Sequence, residues 1–415
     1  MSYSSVLAQL FAIGHTRSSH LSLQVAQALD EALRLPSRRF RAIHVAGSNG
    51  KGSVCFKMAK ALEFAGLHVG LYTSPHLFTF RERIALSSHL IEEAEVVEGL
   101  ETLLEIDQRL QLNANFFELT TALAFHTFAK HEIDIAVIET GLGGRLDATN
   151  ILSPELCVIT SISREHAALL GRDLETIAYE KAGIIKPQVP VVIGPNARYQ
   201  AIHQRAHELQ APLIASRYIG TFFDEENSAV AKLALEQLNI SSDAIEKGIA
   251  LRPACRFERS GYVIFDVAHN PDGIFHLLQA LHDFYPERKW RFVVGFSRDK
   301  DFGECLPMIA RVASHVHLVQ ANSPRAASPQ TMAKVLGHIA SDKLSCHASV
   351  REGVLKANTA AREHGEMLVV TGSFYLMAEA KAALGDHPPS DDSGGTSARN
   401  EMILEAGLLS SASST

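Results

Sequence analysis

The sequence is poor in cysteine, with only five in 415 residues. They stand far apart, are odd in number and include no C-x-x-C pair, which excludes a disulfide framework and a paired-cysteine zinc site. Long hydrophobic runs are also missing, because no stretch approaches the roughly 18 apolar residues of a membrane span. The first residues lack the basic segment of a secretion signal. We therefore expect a cytoplasmic protein from a reducing compartment, without a membrane partner.

Positive charge is in deficit as well. The chain has 39 Lys and Arg residues against 46 Asp and Glu residues, a net charge of −7. This balance argues against a nucleic-acid binder held by bulk electrostatics, so an anionic substrate would need positive charge placed locally. The composition, with 46% hydrophobic and 20% charged residues, is that of an ordinary globular protein. A length of 415 residues exceeds what one core usually supports, so two domains are expected.

Apolar runs of strand length alternate with helical patterns through the first half of the chain. Alternation of this kind predicts a parallel sheet covered by helices on both faces, with ligands bound at the carboxyl ends of the strands. The predicted strands are 42–46, 68–72, 133–139, 156–162 and 189–193. The predicted helices are 51–65, 91–109 and 116–130, after a helical N-terminal segment within 1–40.

A second, smaller α/β unit is predicted in the C-terminal half. A polar stretch follows residue 193 to about 224, and two helices fill 226–251. Strand-like runs follow at 262–265, 290–294, 315–319 and 367–370. We therefore expect one domain at 1–253 and another at 254–385. The Pro/Gly/Ser/Asp-rich tail at 386–415 has no apolar period and is predicted to be disordered.

A glycine-rich turn at 47–53 joins the strand at 42–46 to a helix. Its glycines let backbone N–H groups converge on an anion, the helix N-terminus favours negative charge, and Lys51 supplies full charge. Ser53 is placed to reach a magnesium ion. The match to the Walker A pattern is imperfect, because Val45 stands where its first glycine would be and Gly52 separates Lys51 from Ser53. A plain turn is the competing interpretation, but the strand before and the helix after favour a phosphate site.

Polar side chains follow three of the predicted strands at their carboxyl ends, namely Ser74, Glu139 and His166. Oxygen ligands with at most one imidazole suit magnesium, which keeps waters and bridges phosphates. Glu139 ends a run too apolar to be exposed, so its charge needs a partner, and a metal ion or an arginine would serve equally. Lys181 lies in an apolar helical pattern, where a lysine most often extends along the surface into solvent.

Five segments carry a recognisable pattern when taken in order: 44–53, 72–77, 139–150, 180–186 and 266–271. Together they give the sequence a resemblance to the folylpolyglutamate synthase and dihydrofolate synthase family, a branch of the Mur ligase superfamily. The likeness spans about residues 40–380. It implies an α/β protein with an N-terminal P-loop-type, mostly parallel sheet domain and a smaller C-terminal Rossmann-like α/β domain.

The resemblance also implies site residues. Lys51, Lys181 and His166 would be catalytic, and Lys181 matches a lysine that is carbamylated in this family. Ser53 and Glu139 would serve one magnesium ion, and Ser74, Glu139 and His166 a second. The implied ATP contacts are Gly47, Ser48, Asn49, Gly50, Lys51, Gly52, Ser53, Asn227, Arg256, Asp266 and His269. The implied contacts to the other substrates are Asn115, Phe117, Asp147 and Lys300, with Lys300 beside the nucleotide or the incoming glutamate.

The sequence departs from the family pattern at a few positions. Ser48 replaces a threonine in the glycine-rich loop, and Glu165 replaces the aspartate before His166. Cys255 stands where a glycine usually precedes the arginine matched by Arg256. The segment between 193 and 227 is short for the family.

The resemblance implies an ATP-dependent ligase that uses magnesium and adds L-glutamate to dihydropteroate, and also to tetrahydrofolate, through an acyl phosphate. Dihydropteroate, folate and L-glutamate are its expected small-molecule partners, nucleic acid is not one, and the protein is expected to be a monomer. An alternative is a Mur-type peptide ligase that acts on a UDP-linked precursor. Such an enzyme would need a separate N-terminal domain, whereas only about 40 residues precede the glycine-rich loop here. A nucleotide-binding switch or motor ATPase would predict a strict Walker A and a Walker B aspartate.

Overall fold

The structure is a computed structural model, and it describes residues 1–17, 22–164, 170–171, 173–337, 343–386 and 391. The first unit is built on an eight-stranded sheet. In chain order its strands are β1 Arg41–Ala46, β2 Val69–Tyr72, β3 Ile84–Leu86, β4 His89–Leu90, β5 Ile135–Glu139, β6 Leu156–Ile159, β7 Val191–Ile193 and β8 Leu213–Ala215. Their spatial order is β4-β3-β2-β5-β1-β6-β7-β8, and the pairs from β2 to β8 are parallel.

Helices cover both faces of this sheet, because its central strands are apolar on both sides. Along β5, Ala136 and Ile138 point to one face and Ile135 and Val137 to the other, as strand geometry requires. We name the two resulting cores core A, around Ile138 and Phe125, and core B, around Val137 and Met58. The helices are Tyr3–Thr16, Gln24–Ala32, Lys51–Phe64, Glu93–Leu110, Phe116–Lys130, Leu174–Ala182, Gln200–Glu208, Phe223–Glu236 and Ser242–Ile249.

The second unit has a six-stranded sheet of its own. Its strands are β9 Glu258–Ser260, β10 Val263–Phe265, β11 Trp290–Val294, β12 Ala313–Leu318, β13 Leu344–Cys346 and β14 Met367–Thr371. They lie in the order β13-β12-β11-β14-β10-β9, parallel except for β9. The helices are Pro271–Phe284, Phe302–Val312, Pro329–Leu336, Val350–His364 and Met377–Ala383. The predicted fold class, two α/β units with mostly parallel sheets, is confirmed.

The chain passes from one unit to the other within a few residues. Leu251 still packs in core B, whereas Cys255 and Phe257 pack in the cores of the second unit. In the described part of the chain, no helix is long and apolar enough to cross a membrane.

One sequence prediction needs correction, and one pair of strands was missed. The stretch after residue 193 is not merely polar, since it contains the helix Gln200–Glu208 and strand β8. The antiparallel strands β3 and β4 were not anticipated. The predicted disordered tail lies outside the described residues apart from Asp386 and Asp391, and Asp391 is not detached from the first unit. Its carboxylate accepts hydrogen bonds from the Tyr3 hydroxyl at 2.7 Å and the Phe80 N–H at 2.9 Å.

Candidate active site

A cavity of about 820 Å³ lies between the two units. It opens at the carboxyl ends of the first sheet's parallel strands, where such sheets bind ligands. The first unit contributes the glycine-rich loop, Glu139 and an aromatic wall formed by Phe11, Phe116 and Phe117. The second unit contributes Asp266, His269 and Ser373. The cavity is therefore complete only where the two units meet.

The glycine-rich loop connects β1 to the helix Lys51–Phe64, as the sequence predicts. The Lys51 ammonium folds back over the loop and donates hydrogen bonds to the carbonyls of Gly47 at 3.0 Å and Ser48 at 3.1 Å. Ser48 replaces the family's threonine without loss of bonding, because its hydroxyl donates to the Ser163 carbonyl at 3.0 Å. A cation above a helix N-terminus and a glycine-rich turn is the arrangement that binds phosphates.

At two positions of the loop, neighbouring atoms leave no room for a side chain larger than that of glycine. A Cβ atom at Gly47 would lie 1.9 Å from the Thr160 hydroxyl oxygen, and one at Gly50 would lie 2.3 Å from the Asn227 side-chain oxygen. Gly50 also has a φ of +84°, which favours glycine. The second contact brings Asn227, from the helix Phe223–Glu236, directly against the phosphate loop.

The proposed metal ligands Ser53, Ser74 and Glu139 all line the cavity. Glu139 is 4% exposed, and one of its carboxylate oxygens accepts a hydrogen bond from the Ser74 N–H at 3.0 Å. Burial raises the pKa of Glu139, and the nearby cations Lys51, Arg256 and Arg83 oppose that rise. A Cβ at Gly52 would lie 3.4 Å from the same carboxylate, so Glu139 sits against the loop itself.

These donors fit magnesium. Hydroxyl and carboxylate oxygens are its preferred ligands, and a bound cation would offset the cost of burying Glu139. Within the described residues, no three His, Cys, Asp or Glu side chains are grouped to hold a metal ion. Magnesium usually takes only one or two carboxylates and completes its shell with water and phosphate, so the small donor set is consistent with it. His166, the imidazole expected here, lies outside the described residues.

Ser74, Glu139 and His166 were expected at neighbouring strands, and this needs one correction. β2 and β5 are adjacent, which brings Ser74 to Glu139. β6, which precedes His166, is separated from β5 by β1.

Lys181 does not extend to the surface, so the snorkelling interpretation is wrong. Its side chain is 1% exposed, and its ammonium donates to the Gly47 carbonyl at 2.7 Å. The helix Leu174–Ala182 therefore places a buried amine directly beneath the phosphate loop.

The second unit presents three of the predicted ATP contacts to the cavity: Arg256, Asp266 and His269. The Arg256 guanidinium lies 4.7 Å from the centre of the Phe374 ring, and its Nη1 is buried without a hydrogen-bond partner in the described part of the chain. Asp266 accepts from the N–H groups of Phe257 and Ala268, both at 2.8 Å, while burial raises its pKa. His269 Nδ1 lies 2.9 Å from the Val267 carbonyl oxygen.

The cysteine before Arg256 keeps the turn that a glycine would make. Cys255 has a φ of +55°, in the left-handed region. Its N–H donates to the Glu258 carboxylate at 2.8 Å, and its carbonyl accepts from the Val267 N–H at 3.1 Å. These bonds hold a conformation that costs a non-glycine residue about 1 kcal/mol, so Arg256 still reaches the cavity.

The three residues expected to contact the pterin substrate also line the cavity, but two are engaged in local structure. The Asn115 side chain caps the helix Phe116–Lys130 by accepting from two backbone N–H groups. Asp147 accepts from the N–H groups of Gly141, Leu142 and Thr149. Phe117 projects into the cavity against Gly141, where a Cβ would lie 2.4 Å from its ring. Lys300 lies in the wall from the second unit.

Several cavity residues escaped the sequence predictions. Arg83 ends the short helix Phe80–Arg83, and His76 lies in the loop before it. Glu226 precedes Asn227, and Arg325 and Tyr375 come from the second unit. His76 falls in the matching segment 72–77 without an implied role, and the other four residues are revealed only by their common position around the cavity.

Two protein-family profiles match the chain. The Mur ligase middle domain matches residues 45–216, and the Mur ligase glutamate ligase domain matches residues 255–374. The fold and the site are thus those of a Mur-type ligase.

Known relatives narrow the assignment. A Bacillus subtilis protein, dihydrofolate synthase/folylpolyglutamate synthase, is 31% identical over 399 residues, covering 84% of this chain and 91% of that protein. The Mycobacterium tuberculosis folylpolyglutamate synthase complexed with ADP and AMPPCP gives a TM-score of 0.84 at 28% identity, covering 92% and 99% of the two chains. A bifunctional folylpolyglutamate synthase/dihydrofolate synthase with Mn, AMPPNP and L-glutamate bound gives a TM-score of 0.80 at 30% identity, covering 93% of this chain and 99% of that one. The chain belongs to the dihydrofolate synthase/folylpolyglutamate synthase family.

Proposed function

We propose that this protein is an ATP-dependent ligase that joins L-glutamate to dihydropteroate and also to tetrahydrofolate. The observation that carries the proposal is the cavity between the units, which combines a phosphate loop, a buried carboxylate and an aromatic wall. The Bacillus subtilis relative is named for both activities, and one structural relative holds a nucleotide analogue, a divalent metal and L-glutamate.

The reaction has two balanced steps. A carboxylate oxygen of the pterin-bearing acid attacks the γ-phosphorus of ATP, the bond to the bridging oxygen breaks, and ADP leaves with the electron pair. The amine of L-glutamate then attacks the carbonyl carbon of the acyl phosphate. Inorganic phosphate leaves, the nitrogen gives up a proton, and an amide remains.

The protein contributes position and charge rather than a covalent step. Lys51 and the backbone N–H groups of residues 47–53 hold the phosphates and offset the repulsion between two anions. Ser53, Ser74 and Glu139 would hold magnesium, together with His166. Magnesium, when bound, neutralises charge on the transferred phosphoryl group.

The remaining residues divide between the substrates. Asn227, Arg256, Asp266 and His269 bind the nucleotide, so ATP bridges the two units. The aromatic wall with Phe117 receives the pterin-bearing acid, and Asn115 and Asp147 line the cavity beside it and contact the same substrate. Lys300 faces the incoming glutamate or the nucleotide from the opposite side. Closure of the second unit excludes water, which protects the acyl phosphate from hydrolysis.

Phosphate release from ATP tests this function when dihydropteroate or tetrahydrofolate is supplied with L-glutamate in parallel reactions. We expect release with each acid and none without glutamate, and Lys51→Met should abolish both. Release with tetrahydrofolate alone would confine the protein to one activity. Release with a UDP-linked peptide precursor but neither pterin acid would overturn the proposal.

We further propose a domain boundary at 253/254, where core packing changes units, and a monomer in the cytoplasm. One chain supplies both halves of the cavity, so a second copy is not needed to complete it. Light scattering of the purified protein with and without ATP would test this, and a mass of two chains would contradict it.

A further inference from the structure

Arg83 lies at the junction of the two parts of the site. It ends the short helix Phe80–Arg83 and precedes β3. Its carbonyl accepts from the Thr73 N–H at 3.1 Å, which ties it to the loop that carries Ser74. The residue is 7% exposed and lines the cavity. Arg83 therefore stands between the metal donors and the aromatic wall.

Arg83 forms no direct ion pair with a carboxylate of the described residues, and Glu82 and Glu139 act on its charge only from a distance. In the described ranges, no carboxylate lies within 4 Å of its guanidinium nitrogens. The nearby Glu82 carboxylate is committed elsewhere, since it accepts from the N–H groups of Leu77, Phe78 and Thr79. An isolated buried cation is costly, so a residue of this kind indicates an anion that comes from outside the protein.

Two contacts fix the orientation of the guanidinium. Its Nε donates to His76 Nδ1 at 2.9 Å, and its carbon lies 5.1 Å from the centre of the Phe116 ring. Neither Nη group donates to an acceptor among the residues that the structure describes. The two-pronged end of the side chain thus remains for a ligand.

The side chains around Arg83 indicate which kind of ligand it binds. Arg83 packs among first-unit aromatic side chains, with Phe116 stacked on Phe11 at 5.8 Å between ring centres. Those rings suit a planar aromatic body, and the guanidinium suits a carboxylate attached to it. The cationic residues of the second unit, Lys300 and Arg325, line the other side of the cavity and are better placed for a second amino acid.

We infer that Arg83 binds the carboxylate of the pterin-bearing acid that is to be activated. This inference rests on the proposed function. A guanidinium pairs with a carboxylate through two parallel N–H bonds, which fixes the plane of the carboxylate as well as its position. One oxygen is thereby directed to the phosphate loop, and the approach of two anions is eased by the cation between them.

The test compares pteroic acid with its carboxamide, which is the same molecule without the negative charge, in wild type, Arg83→Gln and Arg81→Gln. Arg81 is a matched control, because it belongs to the same short helix and is buried, but its Nε donates to the Ile91 carbonyl at 2.7 Å and it does not line the cavity. Calorimetry would give both dissociation constants, and ADP affinity and thermal unfolding would report the fold.

Wild type and Arg81→Gln are expected to bind the acid at least about tenfold more tightly than the carboxamide, as for a charge-assisted bond. Arg83→Gln should bind the two alike and keep its ADP affinity. If Arg83→Gln keeps the acid preference, or if wild type has none, the inference is wrong. If wild type binds neither compound, the proposed function fails instead. Should Arg83→Gln unfold, Arg83→Met gives the same comparison with a long side chain and no charge, and an acid preference equal to wild type would again contradict the inference.

Discussion

Asn49 and Asn270 exchange hydrogen bonds across the two units. Asn49 Nδ2 lies 3.3 Å from Asn270 Oδ1, and Asn270 Nδ2 lies 2.9 Å from Asn49 Oδ1. Asn49 also donates to the Asp272 carboxylate at 2.7 Å. The phosphate loop is thus joined to the start of the helix Pro271–Phe284, which follows directly after Asp266 and His269.

This relationship predicts that Asn270→Ala weakens both the fold and nucleotide binding. Asn270 caps its helix by accepting from the Gly273 N–H at 2.7 Å, and loss of a cap costs about 1 kcal/mol of unfolding free energy. Loss of the bond between units should raise the KM for ATP about threefold to tenfold. Denaturant unfolding and initial rates would measure the two effects.

Ser328→Ala is the control for that experiment. Ser328 caps the helix Pro329–Leu336 in the second unit, and among the described residues its hydroxyl bonds only to Thr331 at the start of that helix. It should lose similar stability with no change in KM. An equal rise in KM for both variants would mean that the effect is one of stability, and the bond between units would have no separate role.

Gly50→Ala should abolish ATP binding, because a Cβ there meets Asn227 and the residue is held at a φ of +84°. Gly66 has the same φ, yet a Cβ there meets nothing within 4 Å. Gly66→Ala therefore carries only the conformational cost, about 1 kcal/mol, and should bind ATP as wild type does. A fluorescent ATP analogue would measure both, and equal affinities in the two variants would contradict a steric role for Gly50.

Lys181→Ala should reduce kcat steeply, and a short carboxylic acid should restore part of it if the side chain works as a carbamate. The buried amine beneath Gly47 is placed to hold such a group near the phosphate loop. Intact mass spectrometry in bicarbonate buffer should show one added CO₂ on wild type and none on the variant. Wild-type rates in Lys181→Ala would refute a catalytic role.

Affinity for ATP should fall as the pH rises above neutrality, because of Glu226. Burial and the like charge of Asp272 raise its pKa to about 7. Above that pH the cavity gains a negative charge beside a polyanionic ligand, so the KM for ATP should rise between pH 6 and 8. Glu226→Gln should flatten this profile, whereas Glu236→Gln, exposed at the end of the same helix, should keep it.

The raised pKa of Glu226 also determines whether the free energy of unfolding rises or falls with pH. Between the ordinary pKa of 4.5 and about 7, the folded protein holds a proton on Glu226 that the unfolded chain has released. The contribution of Glu226 to the free energy of unfolding is therefore greatest at low pH and is lost as the pH rises through this window. A steeper loss in Glu226→Gln than in wild type would contradict the assignment.

The fold was predictable where a pattern is strong. The helix 116–130 and the strand 290–294 have the bounds that their sequences predict, because an Asn115–Glu118 capping box and an apolar run mark them. The helix Gln200–Glu208 was missed because it buries only Ile202 and Ala206, too few to give a clear period. β3 and β4 are three and two residues long, which is below what alternation can reveal.

The site was predictable only through motifs. The phosphate loop, Glu139 and Asp266 belong to segments with a recognisable order, and the structure brings them to one cavity. Arg83 could not be found this way, because what distinguishes it is the lack of a direct ion-pair partner in the part of the chain that the structure describes. Such an absence is a property of three-dimensional neighbours, and no spacing along the chain reports it.

The separation of core A from core B has an evolutionary consequence. The aromatic wall rests on core A, through Phe80 and neighbours of Phe116, whereas the helix that carries the phosphate loop rests on core B, on the opposite face of the sheet. Substitutions that reshape the wall for a different acid need not disturb the packing beneath the loop. Selectivity for the acceptor can therefore drift between lineages while the energy source stays the same.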